Sequence, residues 1–170
     1  MVSKLRVLFL CTGNSCRSQM AEGRTRHFKG GLIEPWSAGV EVKPVDPYAV
    51  RVMAEAGVDI SAQRSKHVSE VMHIPFDYVV TVCSHARETC PFFPGGVKRV
   101  HVEFDDPPYL TRGIADVEER LKVYRRVRDD IGAFVETLPE SLELSGMEQR
   151  QDVRLGDGRL EGRRADLRED

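Results

Sequence analysis

The chain has 170 residues, 41% of them hydrophobic and 31% charged, with a formal net charge of −2 at pH 7. That balance gives no general attraction to nucleic acid or to an anionic membrane, and no apolar run approaches a membrane span or a signal-peptide core. A single cytoplasmic domain is expected, and four cysteines in a reducing compartment point to catalysis or metal binding rather than structural disulfides.

Val7-Leu8-Phe9-Leu10 has the length and apolarity of a buried strand and runs straight into Cys11. A loop of small residues leads to a helix over Cys16–Lys29, with Met20, Ala21 and Phe28 for burial and Arg24, Arg26 and Lys29 near its C-terminal end; Gly30-Gly31 stops it. Leu32–Ser37 reads as a second strand ended by Ala38-Gly39, and Asp46 is placed to cap a helix over Pro47–Ala56. Val58–His67 connects this helix to a helical turn over Val68–His73. Phe76–Cys83 is a buried strand by its β-branched and aromatic content, Ser84–Cys90 a short helix with Ser84 as its cap, and Val97–Phe104 a fourth strand.

From Gly113 to Leu138 the apolar residues Ile114, Val117, Leu121, Tyr124, Val127, Ile131, Phe134, Val135 and Leu138 form one stripe of a long amphipathic helix. Glu118, Arg125 and Asp129 fall on its other, solvated face. Beyond Pro139 the chain lacks aromatic residues and mixes charges with glycines. The expected division is therefore a domain over residues 1–138 and a flexible tail over 139–170, the alternative being a tail helix that forms on a partner.

Strands alternating with helices imply an α/β fold: one four-stranded parallel sheet with helices on both faces. In such sheets ligands bind beyond the carboxyl ends of the strands, which is where Cys11, Cys83 and the pair Asp105-Asp106 all fall.

Around Cys11 the pattern is Cys-x5-Arg-Ser. Thr12, Gly13, Asn14, Ser15 and Cys16 form a short loop into a helix N-terminus, where backbone amides and the helix dipole attract anions. Gly13 and Asn14 are the residues most able to take the positive φ of a tight cradle. Arg17 adds a planar fork suited to a tetrahedral oxyanion, and the same groups favour a thiolate at Cys11. Thr12 through Ser18 are thus the candidate substrate-binding residues and Cys11 the candidate nucleophile. The plainer alternative is a buried cysteine at a strand end.

Cys83 and Cys90 flank a polar segment, Ser84–Thr89. As a helix it would hold them ~10 Å apart, whereas a disulfide needs Cα atoms within about 7 Å, so pairing them requires the segment to unwind. Two unrelated thiols or a zinc site are the alternatives. The cysteine intervals do not match common zinc spacings and no paired-histidine motif supports a metal. His85 is a weak candidate for assisting Cys83, Cys16 has no assigned role beyond the loop, and Asp106, stiffened by Pro107 and Pro108, is the candidate general acid.

The stretches VLFLCTGNSCRSQMAEG, WSAGV, DPYAVRVMAEAGVDIS, VVTVCSHARETCPFFPG and FDDPP together resemble the thioredoxin-coupled arsenate reductases, which share the fold of low-molecular-weight protein tyrosine phosphatases. The resemblance runs from about Lys4 to Leu138. It implies that Cys11 attacks arsenate, that Arg17 and the loop amides hold the oxyanion, that Ser18 stabilises the thiolate and Asn14 fixes the loop, and that Asp106 protonates the leaving oxygen. It further implies a relay in which Cys83 attacks Cys11 and Cys90 attacks Cys83, ending in a Cys83–Cys90 disulfide reduced by thioredoxin, with thioredoxin reductase and NADPH behind it; glutaredoxin or a small thiol is the alternative donor. Some members of the family bind potassium through an asparagine, a glutamate, a serine and an aspartate. Asn14, Glu22 and Ser37 match three of these and Lys66 stands in the place of the fourth, so no bound metal or cofactor is expected. A monomer is expected, with partners limited to the oxyanion and thioredoxin. The competing readings are a phosphotyrosine phosphatase, in which Cys83 and Cys90 would be idle, and a non-enzymatic redox or arsenic-binding protein.

Overall fold

The structure, a computed structural model, describes residues 3–145. Its sheet is built on β1 (Leu5–Cys11), which pairs in parallel with β2 (Ile33–Gly39) on one side and β3 (Tyr78–Thr81) on the other; β4 (Lys98–His101) lies outside β3, giving the order β2-β1-β3-β4. Val7, Leu8, Phe9 and Leu10 are all fully buried. Because neighbouring residues of a strand point to opposite faces, both faces of the sheet are covered. The register pairs Cys11 with Gly39 and Leu10 with Thr81, so the exits of three strands lie side by side.

The helices are α1 (Arg17–Lys29), α2 (Pro47–Glu55), α3 (Ser84–Thr89), α4 (Pro107–Leu110) and α5 (Val117–Glu136). The stripe of α5 buries Leu121, Tyr124, Val127, Ile131 and Val135, and the helix packs against α1 and α2. Asp46 caps α2 by accepting from the Tyr48 amide, as expected.

Several expectations are corrected. α5 starts at Val117 under an Asp116 cap rather than at Gly113, because Gly113 takes φ 77° and turns the chain. β3 and β4 are four residues each, shorter than Phe76–Cys83 and Val97–Phe104. The turn expected over Val68–His73 shrinks to a single 3-10 turn, Val68–Glu70. Phe28 is exposed, its ring covered on one side by the Arg24 guanidinium rather than by the core. The polar face of α5 is not merely solvated: Arg125 donates to Glu55 of α2 at 2.9 and 3.0 Å and to Glu118 at 2.7 Å, and Asp129 pairs with Arg24 of α1.

The packed chain also runs past the expected boundary at 138. Residues 140–145 are helical, and Leu138 and Leu142, spaced four apart, are both fully buried. The rest of the expected tail, 146–170, lies outside the described residues. Among the described residues no helix is long and apolar enough to cross a membrane.

Candidate active site

The loop from Thr12 to Cys16 turns its carbonyls outward. Thr12 O accepts from Glu41 N at 2.8 Å, Gly13 O from Lys43 N at 2.9 Å and Ser15 O from Asp46 N at 2.9 Å. Asn14 O accepts from Gln19 Nε2 at 2.9 Å and Ser65 Oγ at 2.7 Å. In a trans peptide the N–H opposes the C=O, so the amides of residues 13 to 16 face the other way, into a cup. Cys16 takes the N-cap position of α1 without a side-chain hydrogen bond, which leaves the first-turn amides to a ligand. Only Asn14 of this loop has positive φ, 49°; Gly13 does not, correcting the expectation for that glycine. A Cβ at Gly13 would meet the stem of Lys43 at an ordinary contact distance of 3.4 Å.

A directed chain of hydrogen bonds ends on Cys11. The Lys66 amide donates to Asn14 Oδ1 at 2.8 Å, which fixes the carboxamide so that Nδ2 donates to Ser18 Oγ at 2.9 Å. The Ser18 hydroxyl lies 2.8 Å from Cys11 Sγ, and with its oxygen already accepting from Asn14 it is free to donate to a thiolate. Asn14 and Ser18 are fully buried and Cys11 is 3% exposed.

Arg17, nine-tenths buried, donates to Phe104 O at 3.1 Å and reaches Asp106 Oδ2 at 3.4 Å. The fork thus joins the start of α1 to the residues after β4. Cys11, Thr12, Gly13, Ser15, Cys16, Arg17, Lys43 and Asp106 all line one cavity of about 430 Å³, walled further by Pro44, Val45, Asp46, Pro47 and Pro108. Asp105 points elsewhere, pairing with Arg126 at 3.0 Å. The arrangement can bind a tetrahedral oxyanion, present a thiolate to it and offer a carboxyl to the oxygen that leaves.

Cys83 ends the chain segment beside the cup, with Sγ 3.3 Å from Thr12 Oγ1 and 3.4 Å from the Ala86 amide. It is therefore the Cys83 thiol that caps α3. Ser84, expected in that role, instead donates to the Glu103 carboxylate. Cys90 sits at the far end of α3, half-buried, and all four cysteines are free thiols. Burial pushes the Cys90 thiol up from its ordinary range. The Cys16 thiol is pushed well up, by burial first and then by the nearby Asp46 and Cys11. His85 faces Glu41 at 3.5 Å.

Behind the loop, buried Glu22 accepts from Ser37 Oγ at 3.0 Å and Arg26 at 3.1 Å, and Lys66 Nζ lies 3.8 Å away. Burial lowers the Lys66 ammonium below the usual lysine range. Among the described residues no group of three or more His, Cys, Asp or Glu side chains is placed to hold a metal ion.

Sequence reasoning missed the part played by Gly39. A Cβ there would lie 2.7 Å from Asn14 N and 2.8 Å from Gly13 C and Thr12 O, so only glycine lets β2 brace the Thr12–Cys16 loop. Its place at a strand end was visible; the approach of the loop was not, because it arises from the parallel pairing of Cys11 with Gly39.

The family described as low molecular weight phosphotyrosine protein phosphatase matches residues 6–147. An arsenate reductase of Halalkalibacterium halodurans is 44% identical over 140 residues, covering 82% of this chain and 99% of that protein. Among solved structures, a low molecular weight protein tyrosine phosphatase from T. tengcongensis superposes with a TM-score of 0.65 at 31% identity, covering 81% of this chain and 99% of the other. A thioredoxin-dependent arsenate reductase of Corynebacterium glutamicum superposes with a TM-score of 0.59 at 27% identity, covering 85% of this chain and 65% of that one.

Proposed function

The chain belongs to the low molecular weight phosphotyrosine protein phosphatase family, and from that premise we propose that it is an arsenate reductase that runs a three-cysteine relay and draws its electrons from thioredoxin. The observation that carries this reading is the place of Cys83, hydrogen-bonded to Thr12 of the nucleophile loop with Cys90 one short helix away. Hydrolysis needs neither thiol. The similarity to arsenate reductases at 44% identity supports the same reading, and a thioredoxin-dependent reductase of the same fold supports the donor.

In this mechanism the Cys11 thiolate attacks arsenic and Asp106 protonates the oxygen that leaves as water. Arg17 and the inward amides carry the charge that builds on the remaining oxygens. Cys83 then attacks Cys11 Sγ. The pair of the sulfur–arsenic bond stays on arsenic, which leaves as arsenite, and a Cys11–Cys83 disulfide forms. Cys90 attacks Cys83 Sγ, releasing the Cys11 thiolate, and the Cys83–Cys90 disulfide takes two electrons from the dithiol of thioredoxin. Lys66 supplies the positive charge beside Glu22 and Ser37, and its amide occupies Asn14 Oδ1; these residues do not fit a potassium ion as well, so activity is independent of potassium in this reading.

A phosphatase is the second reading, favoured by the phosphatase of like fold and by the sufficiency of Cys11, Arg17 and Asp106. Among the described residues, however, the cavity is lined by charged and polar side chains with Pro44, Val45, Pro47 and Pro108, and by no aromatic side chain on which an aryl ring would stack. The deciding assay is arsenate-dependent NADPH oxidation through thioredoxin and its reductase. Brisk hydrolysis of phosphotyrosine with no arsenate turnover on any thiol donor would favour the phosphatase.

A further inference from the structure

Asp46 is used by the fold as a helix cap, yet it also stands in the wall of the oxyanion cavity, and the residue is held by three hydrogen bonds, two of them on its carboxylate. Its amide donates to Ser15 O in the nucleophile loop at 2.9 Å, Oδ1 accepts from Tyr48 N at 2.9 Å, and Oδ2 accepts from the Tyr124 hydroxyl at 2.5 Å. Tyr124 is buried in the middle of α5, its ring 5.4 Å from that of Tyr48. Asp46, Pro47 and Pro108 are shared between the oxyanion cavity and a neighbouring one of about 350 Å³ that Tyr124 lines. They form the partition between the two.

The same tyrosine reaches toward the general-acid side. Thr111 lies beside its hydroxyl, and Thr111 Oγ1 donates to Pro107 O at 2.8 Å, one residue after Asp106. A single buried side chain on α5 therefore touches the supports of both halves of the site. Burial, and then the Asp46 carboxylate, raise the Tyr124 hydroxyl above the ordinary tyrosine range, so it remains a donor at any working pH.

We propose that Asp46 is a positioning and specificity-determining residue of the oxyanion cup, and that Tyr124 sets it by holding its second carboxylate oxygen in the partition, away from the bound anion. A carboxylate in the wall of a cup for anions repels what the cup binds. The Tyr124 hydrogen bond disperses part of that charge and fixes its direction. Released, the carboxylate faces the anion; neutralised, it repels nothing. The inference needs the cup to bind oxyanions and does not need arsenate to be reduced.

The test uses the full chain and inorganic phosphate as the probe, reading how phosphate protects Cys11 from iodoacetate by peptide-resolved mass spectrometry. Tyr124→Phe should raise the half-protecting phosphate concentration about three- to tenfold, the loss of one charge-assisted hydrogen bond. Asp46→Asn keeps an Oδ1 cap for Tyr48 and should lower that concentration by a similar factor. The double variant should match Asp46→Asn within twofold, because the tyrosine acts through the charge. In arsenate turnover the same ratios should appear in KM, with kcat within about twofold. Phosphate protection unchanged in a folded Tyr124→Phe, or additive effects in the double variant, overturns the proposal. If Tyr124→Phe fails to fold, Asp46→Asn decides alone: tighter protection supports the proposal and unchanged or weaker protection overturns it. An enzyme inactive on arsenate leaves the phosphate arm readable.

Discussion

Two segments follow neighbouring strands of the same sheet and are built in opposite ways. After β1, the Thr12–Cys16 loop has the carbonyls of residues 12 to 15 occupied by donors from residues 19 to 65, and Asn14 is fully buried. After β3, the six residues of α3 include one buried side chain, Ala86, and the helix is capped by a thiol at 3.4 Å. A helix that short has no stability of its own, and a thiol is a weak acceptor. The difference matches two demands of the proposed mechanism: a cup for charge must already be shaped when the anion arrives, while a segment that is to bring two thiols together must give way.

The sharpest way to break the comparison is to remove the thiols of the yielding segment alone. Cys83→Ala and Cys90→Ala should each lower sustained arsenate turnover more than about 10³-fold, since each removes a nucleophile of the proposed relay. Both should keep phosphate protection of Cys11 within twofold of the parent. Cys90→Ala should accumulate a Cys11–Cys83 disulfide after one turnover, visible as a cross-linked peptide. Loss of phosphate binding in either variant would mean that the two segments are not separable.

A chemical contrast within the rigid cup comes next. Cys11 and Cys16 are almost equally buried, at 3% and 4% exposure, so access alone does not separate them. Cys11 faces the Ser18 hydroxyl, whereas burial and Asp46 hold Cys16 in the neutral thiol form well above its usual range. The thiolate is the reacting species. At pH 7 iodoacetamide should label Cys11 about 100-fold faster than Cys16. Raising the pH increases the Cys16 thiolate, so labelling of Cys16 should speed up toward pH 10. Equal labelling at pH 7 would remove the distinction.

Gly39→Ala probes the bracing of the cup itself. Its Cβ would fall 2.7 Å from backbone nitrogen, and backbone cannot swing aside as a side chain can. The cost is about 1–3 kcal/mol of stability, with phosphate protection of Cys11 weakened about tenfold as the loop shifts. Differential scanning calorimetry and the alkylation assay read the two effects separately.

Much of this was legible in the chain. The β1 run, the Cys11–Ser18 motif, the Asp46 cap and the α5 stripe are local patterns, and local patterns survive folding. What was hidden depends on pairings distant in sequence: Gly39 against Gly13 and Asn14, Tyr124 across 78 residues to Asp46, and Arg125 of α5 onto Glu55 of α2. Ser84 loses the cap expected of it for the same reason. As a serine at a helix start it has the composition of a cap, but the Glu103 carboxylate beyond β4 takes its hydroxyl and leaves the cap to Cys83.

That displaced serine gives the smallest and most pointed test of the yielding segment. Ser84 is the first residue of α3, and Glu103, which it ties to the end of β4, is itself 3.9 Å from His101, whose other ring nitrogen meets Thr81 Oγ1 at 2.8 Å. Beyond the helix, Arg99 holds Pro91 O at 2.7 Å. α3 is thus a weak helix pinned near both ends, and the unwinding that the proposed relay calls for would start by releasing one pin. An exposed side-chain hydrogen bond contributes little, about 0.5–1.5 kcal/mol, so Ser84→Ala should speed formation of the Cys83–Cys90 disulfide about two- to tenfold under a fixed oxidant, followed by quenched alkylation. Ser84→Thr keeps the hydroxyl and should restore the parent rate. If Ser84→Ala leaves the rate unchanged, the pin does not limit unwinding and the barrier lies within the helix or at Arg99.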